Sequence, residues 1–299
     1  MSELASEPVA PHGAPLVAAY KGAAGVDVLA LATAWCRASA RPLRVVTVYP
    51  GKAPLGMGRT DPEWVAYNRA EAEKLLDEAR GLLGEGVSAE FRAVASESAS
   101  RGLHDVMEAS DPGTMVIVGS RKTRGIRRTA PGSTAERLLH GAPGPVCLVP
   151  WDYEQRPADP VRRIGVAYVD TPDGRAALAG AVGFARELGA ELQLTTVLPD
   201  TRVQPSLGEP WRFAADQRAA FEEGLEAAAA TVPPEVSTSI ALLEGPVVDA
   251  LSDVRPDDVD LLVCGSRGYG PARRVLLGGV SSRLLKHARV PVVVVPRQH

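Results

Sequence analysis

The sequence carries an internal copy of itself. At an offset of 146 residues, Gly119–Pro150 overlays Gly265–Pro296 without a gap, and 14 of 32 positions are identical, among them Gly119/Gly265, Arg127/Arg273, Arg128/Arg274, Gly132/Gly278 and Pro145/Pro291. So long a period exceeds any solenoid unit, which points to a duplicated domain. Between the copies lies Trp151 to Pro160 (WDYEQRPADP), rich in Pro and charge, the composition of a linker. The expected units are 1–155 and 156–299.

Each copy has the same order of signals. Short apolar runs, the pattern of strands buried on both faces, alternate with Ala-rich helical stretches. The strands are expected at Leu16–Tyr20, Leu43–Tyr49, Ala89–Val94, Met115–Val118 and Val146–Val149. In the second copy they fall at Arg163–Tyr168, Glu191–Val197, Ser237–Leu242, Leu261–Cys264 and Val292–Val295. Strand–helix alternation with five strands per copy implies an α/β fold: two tandem doubly wound domains, each a five-stranded parallel sheet with helices on both faces. The linker argues against a single ten-stranded sheet. The run Pro291–Pro296 would be an aggregation hazard at a sheet edge. The economical remedy is that it covers its counterpart Val146–Val149, giving a pseudo-twofold pair.

Composition narrows the function classes. With 45% hydrophobic residues the 299-residue chain is globular, and its apolar runs fall short of the ~18 residues that span a bilayer. The net charge of −3 and pI ≈ 6.0 argue against a general nucleic-acid binder. Cys36, Cys147 and Cys264 form neither a disulfide framework nor a CxxC site. The opening Met1-Ser2-Glu3-Leu4 is polar and acidic, unlike a signal peptide, so the expectation is a cytoplasmic protein. The five histidines show no ligand spacing, and no metal site is expected. No G-x-S-x-G elbow or Walker lysine is present, and Cys264 is expected to serve packing. No catalytic residue is assigned.

The chemical signal is Gly265-Ser266-Arg267-Gly268, nine residues, then Gly278-Gly279-Val280-Ser281. It runs from the end of a strand to the start of a helix, where bare backbone and helix amides suit an anion. Arg267 adds charge suited to phosphate. Glycines that only turn the chain would look the same.

This pattern resembles the universal stress protein family, whose nucleotide loop is G-x2-G-x9-G-[S/T] after the fourth strand. Gly265, Gly268 and Gly278 match its spacing. Further echoes are Ile164-Gly165-Val166-Ala167-Tyr168, the turn Glu244-Gly245-Pro246 and the terminal Pro291–Pro296 strand. The resemblance spans nearly the whole chain as a tandem. It implies a Rossmann-like, adenine nucleotide alpha hydrolase-like fold, often dimeric through the last strand, acting in the stress response. It implies ATP or another adenine nucleotide as ligand, with Mg²⁺ bridging the phosphates.

The departures are specific. Gly279 stands where the family has Ser or Thr, although Ser281 is near. The family's Asp at the end of the first strand falls on Val169, with Asp170 next to it. In the first copy Lys122 replaces the second glycine and Lys21 stands at the Asp position. Ser133-Thr134-Ala135-Glu136 there matches a capping box. The first copy is therefore expected to be degenerate, or to hold another anion through Lys21, Arg121, Lys122 and Arg124. The second copy is expected to hold the nucleotide. Gly265, Gly268, Gly278, Gly279 and Val280 would meet the phosphates, with Arg267 for charge and Ser281 for a hydroxyl. Thr196 and Val197 would face the base, and Asp170 the ribose. The expected role is a binding and signalling module, with at most slow hydrolysis. Further association, as a homodimer or with another protein, is expected through the last-strand edges. The alternative is a nucleotide-free interaction scaffold with both pockets decayed.

Overall fold

A computed structural model of the protein describes residues 13–52, 62–83, 86–121, 128–155, 160–198, 210–266 and 278–296, the side chains of 210–216 excepted. The first half runs β1 (Leu16–Ala19), α1 (Ala23–Ala38), β2 (Leu43–Pro50), α2 (Pro62–Leu82), β3 (Ala89–Ser96), α3 (Ala99–Glu108), β4 (Met115–Gly119), α4 (Ser133–Leu139) and β5 (Val146–Val149). The second runs β6 (Arg163–Ala167), α5 (Pro172–Leu188), β7 (Glu191–Leu198), α6 (Pro210–Ala229), β8 (Thr238–Glu244), α7 (Val247–Ser252), β9 (Leu261–Gly265), α8 (Gly279–Leu284) and β10 (Val292–Val295).

Local chemistry sets the boundaries. At the start of α5 the Thr171 hydroxyl accepts from the Gly174 amide at 3.1 Å, and Pro172 occupies the first turn, where its missing N–H costs nothing. Gly189 ends the helix at φ 62°, a left-handed conformation that glycine takes without strain. Ser98 caps α3 by accepting from the Arg101 amide at 3.2 Å.

Within each half the strands are parallel, in the order β3-β2-β1-β4-β5 and β8-β7-β6-β9-β10. The strand order reverses between β1 and β4, and again between β6 and β9. Such switch points open crevices at the carboxyl ends of the strands. Between the halves β5 and β10 pair antiparallel, with Val292 opposite Leu148 and Val294 opposite Val146. The two hazardous edges thus cover each other, as the sequence suggested. That pairing also corrects two expectations. It fuses the two parallel sheets into one ten-stranded sheet, which the linker had seemed to disfavour. It also leaves neither last strand with an open edge, since β5 already pairs with β4 and β10 with β9. Association of chains through those edges therefore has nothing to bind.

Two buried clusters sandwich the sheet. One packs α1, α2, α5 and α6 against one face, and the other packs α3, α4, α7 and α8 against the opposite face; each runs across both halves. At the seam Trp35 meets Phe184 edge-to-face at 5.3 Å, and the Trp35 indole donates to Glu187 at 2.8 Å. The buried Arg41 guanidinium lies 3.6 Å from Glu187 and donates to the carbonyls of Ala14 and Gly113. Beside the outer ends of α4 and α8, the Thr129 amide donates to the Ala288 carbonyl at 2.7 Å, and Arg128 and Arg289 share Asp253. The linker docks on α1: buried Asp27 accepts the Glu154 amide at 2.9 Å.

Candidate functional site

Each switch point holds a cavity, and the two are nearly equal, about 300 Å³ in the first half and about 290 Å³ in the second. The same local devices build both. Thr47 donates its hydroxyl to the Tyr20 carbonyl at 3.0 Å, and Thr196 to the Tyr168 carbonyl at 2.6 Å. These bonds fix the second strand of each half against the end of the first. Gly119 ends β4 where a Cβ would collide with the Ala24 carbonyl oxygen, and Gly265 ends β9 where one would collide with the Asp173 carbonyl. Close approach of helix to strand therefore requires both glycines, whatever ligand they meet.

In the second cavity the structure gathers six of the expected residues: Thr196, Val197, Gly265, Gly278, Val280 and Ser281. Gly279 is the first residue of α8, exposed, with open space around it, and does not line the cavity. Arg267 and Gly268 lie outside the described residues. The Ser281 hydroxyl is buried and accepts the Gly278 amide at 3.2 Å, which commits one of its lone pairs to holding the turn. Cys264, at the cavity floor, has its thiol pushed up to about 12 by burial, consistent with packing and not with nucleophilic attack.

Asp170 lies elsewhere. After Tyr168 the chain leaves the sheet in a tight turn, the Thr171 amide bonding the Val169 carbonyl at 2.7 Å. Val169 and Asp170 are thereby thrown outward, and the Asp170 carboxylate, 67% exposed, pairs with Arg175. The carboxylate among the described lining residues is Asp173, half-buried in the first turn of α5. The sequence signal for it was the Thr171-Pro172 helix start. Cap and N1 proline place Asp173 one residue into a helix that begins at the strand ends.

In the first cavity Lys21, Arg121, Ser133 and Thr134 meet along with Gly119 and Gly132, whereas Lys122 and Arg124 lie outside the described residues. The capping box does not form. Gly132 is the N-cap of α4, with no side-chain cap bond. Its lack of a side chain leaves room for the Arg121 stem, whose Nε donates to the Pro131 carbonyl at 3.2 Å.

Away from both cavities, the His104, Asp105 and Glu108 side chains converge on α3. His104 Nε2 bonds the Gly141 carbonyl and Asp105 pairs with Arg101, so the cluster is accounted for by protein contacts. No described helix is long and apolar enough to cross a membrane.

Comparison with known proteins settles the family. The model of the universal stress protein family matches twice, at residues 17–150 and 160–296. The chain belongs to the universal stress protein family. It is 27% identical over 289 residues to a universal stress protein of Mycobacterium tuberculosis H37Rv, covering 92% of this chain and 97% of that one. It is 32% identical over 221 residues to one from Mycolicibacterium smegmatis, covering 74% and 71%. Among solved structures, a universal stress protein from Archaeoglobus fulgidus superposes with TM-score 0.67 at 20% identity, over 95% of this chain and 98% of that one. The tandem α/β architecture is therefore that of a two-domain universal stress protein.

Proposed function

We propose that this protein binds an adenine nucleotide, with ATP the first candidate, in the second-half cavity and acts as a binding module. The observation that carries the reading is the juxtaposition, at the β6/β9 switch point, of Asp173 on one wall with Gly278 and Ser281 on another. A carboxylate there can accept from ribose hydroxyls. The Ser281 hydroxyl opposite, which accepts the Gly278 amide, can still donate its own proton to a phosphate oxygen. Thr196 and Val197, buried near the end of β7, border the cavity where a base would sit. Asp173 takes the ribose role that the sequence assigned to Asp170. The described lining presents no histidine or lysine to act on an attacking water, and its carboxylate is placed for the sugar; these features favour binding over turnover.

Thermal unfolding with added nucleotide tests this. ATP at 100 times its Kd should stabilise the protein by about 2.7 kcal/mol, and Asp173→Ala should cut that response. No stabilisation up to millimolar ATP would replace this reading with that of a nucleotide-free scaffold. ATP turnover well above background would replace it with an enzyme.

A further inference from the structure

We propose that the first-half cavity is a separate ligand site, selective for a small organic phosphate free of metal, and not a decayed copy of the nucleotide site. The cavity has not collapsed: at about 300 Å³ it matches its partner. Among the described lining residues the charges are opposite in sign: Lys21 and Arg121 in the first cavity, Asp173 in the second. The two halves align on the residues whose carbonyls abut the closing glycines, Ala24 at Gly119 and Asp173 at Gly265. The carboxylate of the second cavity therefore corresponds to a methyl group in the first. The residue after the conserved-position tyrosine is Val169 beside the second cavity and Lys21 beside the first, and Lys21 lines that cavity with Arg121.

No carboxylate is present among the described residues lining the first cavity. The hydroxyls differ as well. Ser281 accepts the Gly278 amide, whereas α4 has no side-chain cap, and both Ser133 and Thr134 line the cavity. Val46, Val48, Leu103 and Val118 supply an apolar wall. A ribose loses its acceptor in such a site, and a phosphate gains the Lys21 ammonium and two hydroxyls beside the Arg121 guanidinium. A divalent cation is repelled. The matching ligand has a compact apolar body and one phosphate monoester.

Calorimetric titration of the full chain with phenyl phosphate and with AMP, both without Mg²⁺, tests the site, with adenosine as the neutral comparison. An Ala167→Met background fills the second cavity, so the result does not depend on nucleotide binding there. Both phosphates should bind, adenosine at least tenfold more weakly. Lys21→Ala, a change at an exposed position, should weaken phosphate binding about tenfold, and so should raising the salt. Ala19→Met, filling the first cavity, should abolish it. The same Lys21→Ala loss should appear in the otherwise unaltered chain. The proposal is overturned if adenosine binds as tightly as AMP, if Lys21→Ala changes nothing, or if folded Ala19→Met retains full binding.

Discussion

The two halves of this chain share their strand order, their closing glycines and their cavity volume, yet charged groups that line the two cavities differ. Asp173 in the second cavity faces the position of Ala24 in the first, and Lys21 corresponds to Val169. At the seam the asymmetry is reversed in kind. Trp35 and Phe184 occupy equivalent places and pack on one another, but Arg41 corresponds to Ala190 and Glu187 to Ala38. Duplication left the apolar framework doubled because packing tolerates only volume-conserving change. Polar positions at the cavities and the seam were free to diverge, and there each half acquired its own chemistry.

The sharpest test of that division is the seam. Arg41 is buried and bonds the backbone carbonyls of Ala14, Pro15 and Gly113 besides its ion pair with Glu187. Arg41→Leu should cost about 3–5 kcal/mol, the range for removing one partner of a buried charge pair. The change at Ala190, its counterpart, to Leu should cost far less. Urea unfolding of the two variants compares the halves directly, and equal losses would show that the seam is symmetric in energy although not in sequence.

The cavities come next. Asp173→Ala should weaken adenine nucleotide binding by about 1.5–3 kcal/mol, roughly 10-fold or more, measured by calorimetry. Ala24→Asp should have the opposite meaning in the first half, weakening phosphate ester binding by placing an anion opposite Lys21. If Ala24→Asp leaves that binding unchanged, the charge contrast between the cavities has no functional weight.

The closing glycines sharpen the comparison from the other side. Since a Cβ at either Gly119 or Gly265 meets a carbonyl oxygen of the facing helix, Gly119→Ala and Gly265→Ala should each destabilise the chain by about 1–3 kcal/mol. The losses should be alike in the two halves and present without ligand. If Gly265→Ala left stability unchanged without ligand, Gly265 would return to a purely ligand-directed role.

These residues also mark what the sequence could and could not convey. All ten strands lie within a few residues of their expected positions, because buried parallel strands are local patterns. The β5–β10 pairing was legible too, from the bare valine run and the need to cover it. The continuity of the sheet was not, since a linker's composition says nothing about whether the units it joins share hydrogen bonds. At the site, Gly265 and Gly278, which line the cavity, were legible from spacing. The sequence pointed to Asp170 because it adjoins Val169, on which the family's Asp position falls, and the family's pattern did not mark Asp173. The turn at Val169–Thr171, which exposes Asp170, depends on a backbone bond that no side-chain pattern announces. Likewise Ser133 matched a capping box, but the helix starts one residue early for it, with Gly132 at the N-cap.

The smallest expected effect concerns the linker, which only the first half holds. Asp27 on α1 corresponds to Ala176 on α5. Burial pushes the Asp27 carboxyl above its ordinary range and the Asp152 charge adds to this, against the lowering effect of the Glu154, Asp152 and Tyr153 amides. A carboxyl whose folded pKa exceeds its unfolded one gives stability that is fully present below the unfolded pKa and is lost as pH rises through the folded value. Asp27→Asn does not titrate, so the stability of the native chain relative to this variant should fall as pH rises from acid toward neutral. Urea midpoints for both proteins across that range measure the difference. Were it to grow with pH, the linker amides would outweigh burial, and the clamp would be an anion site made by the linker on the first half alone.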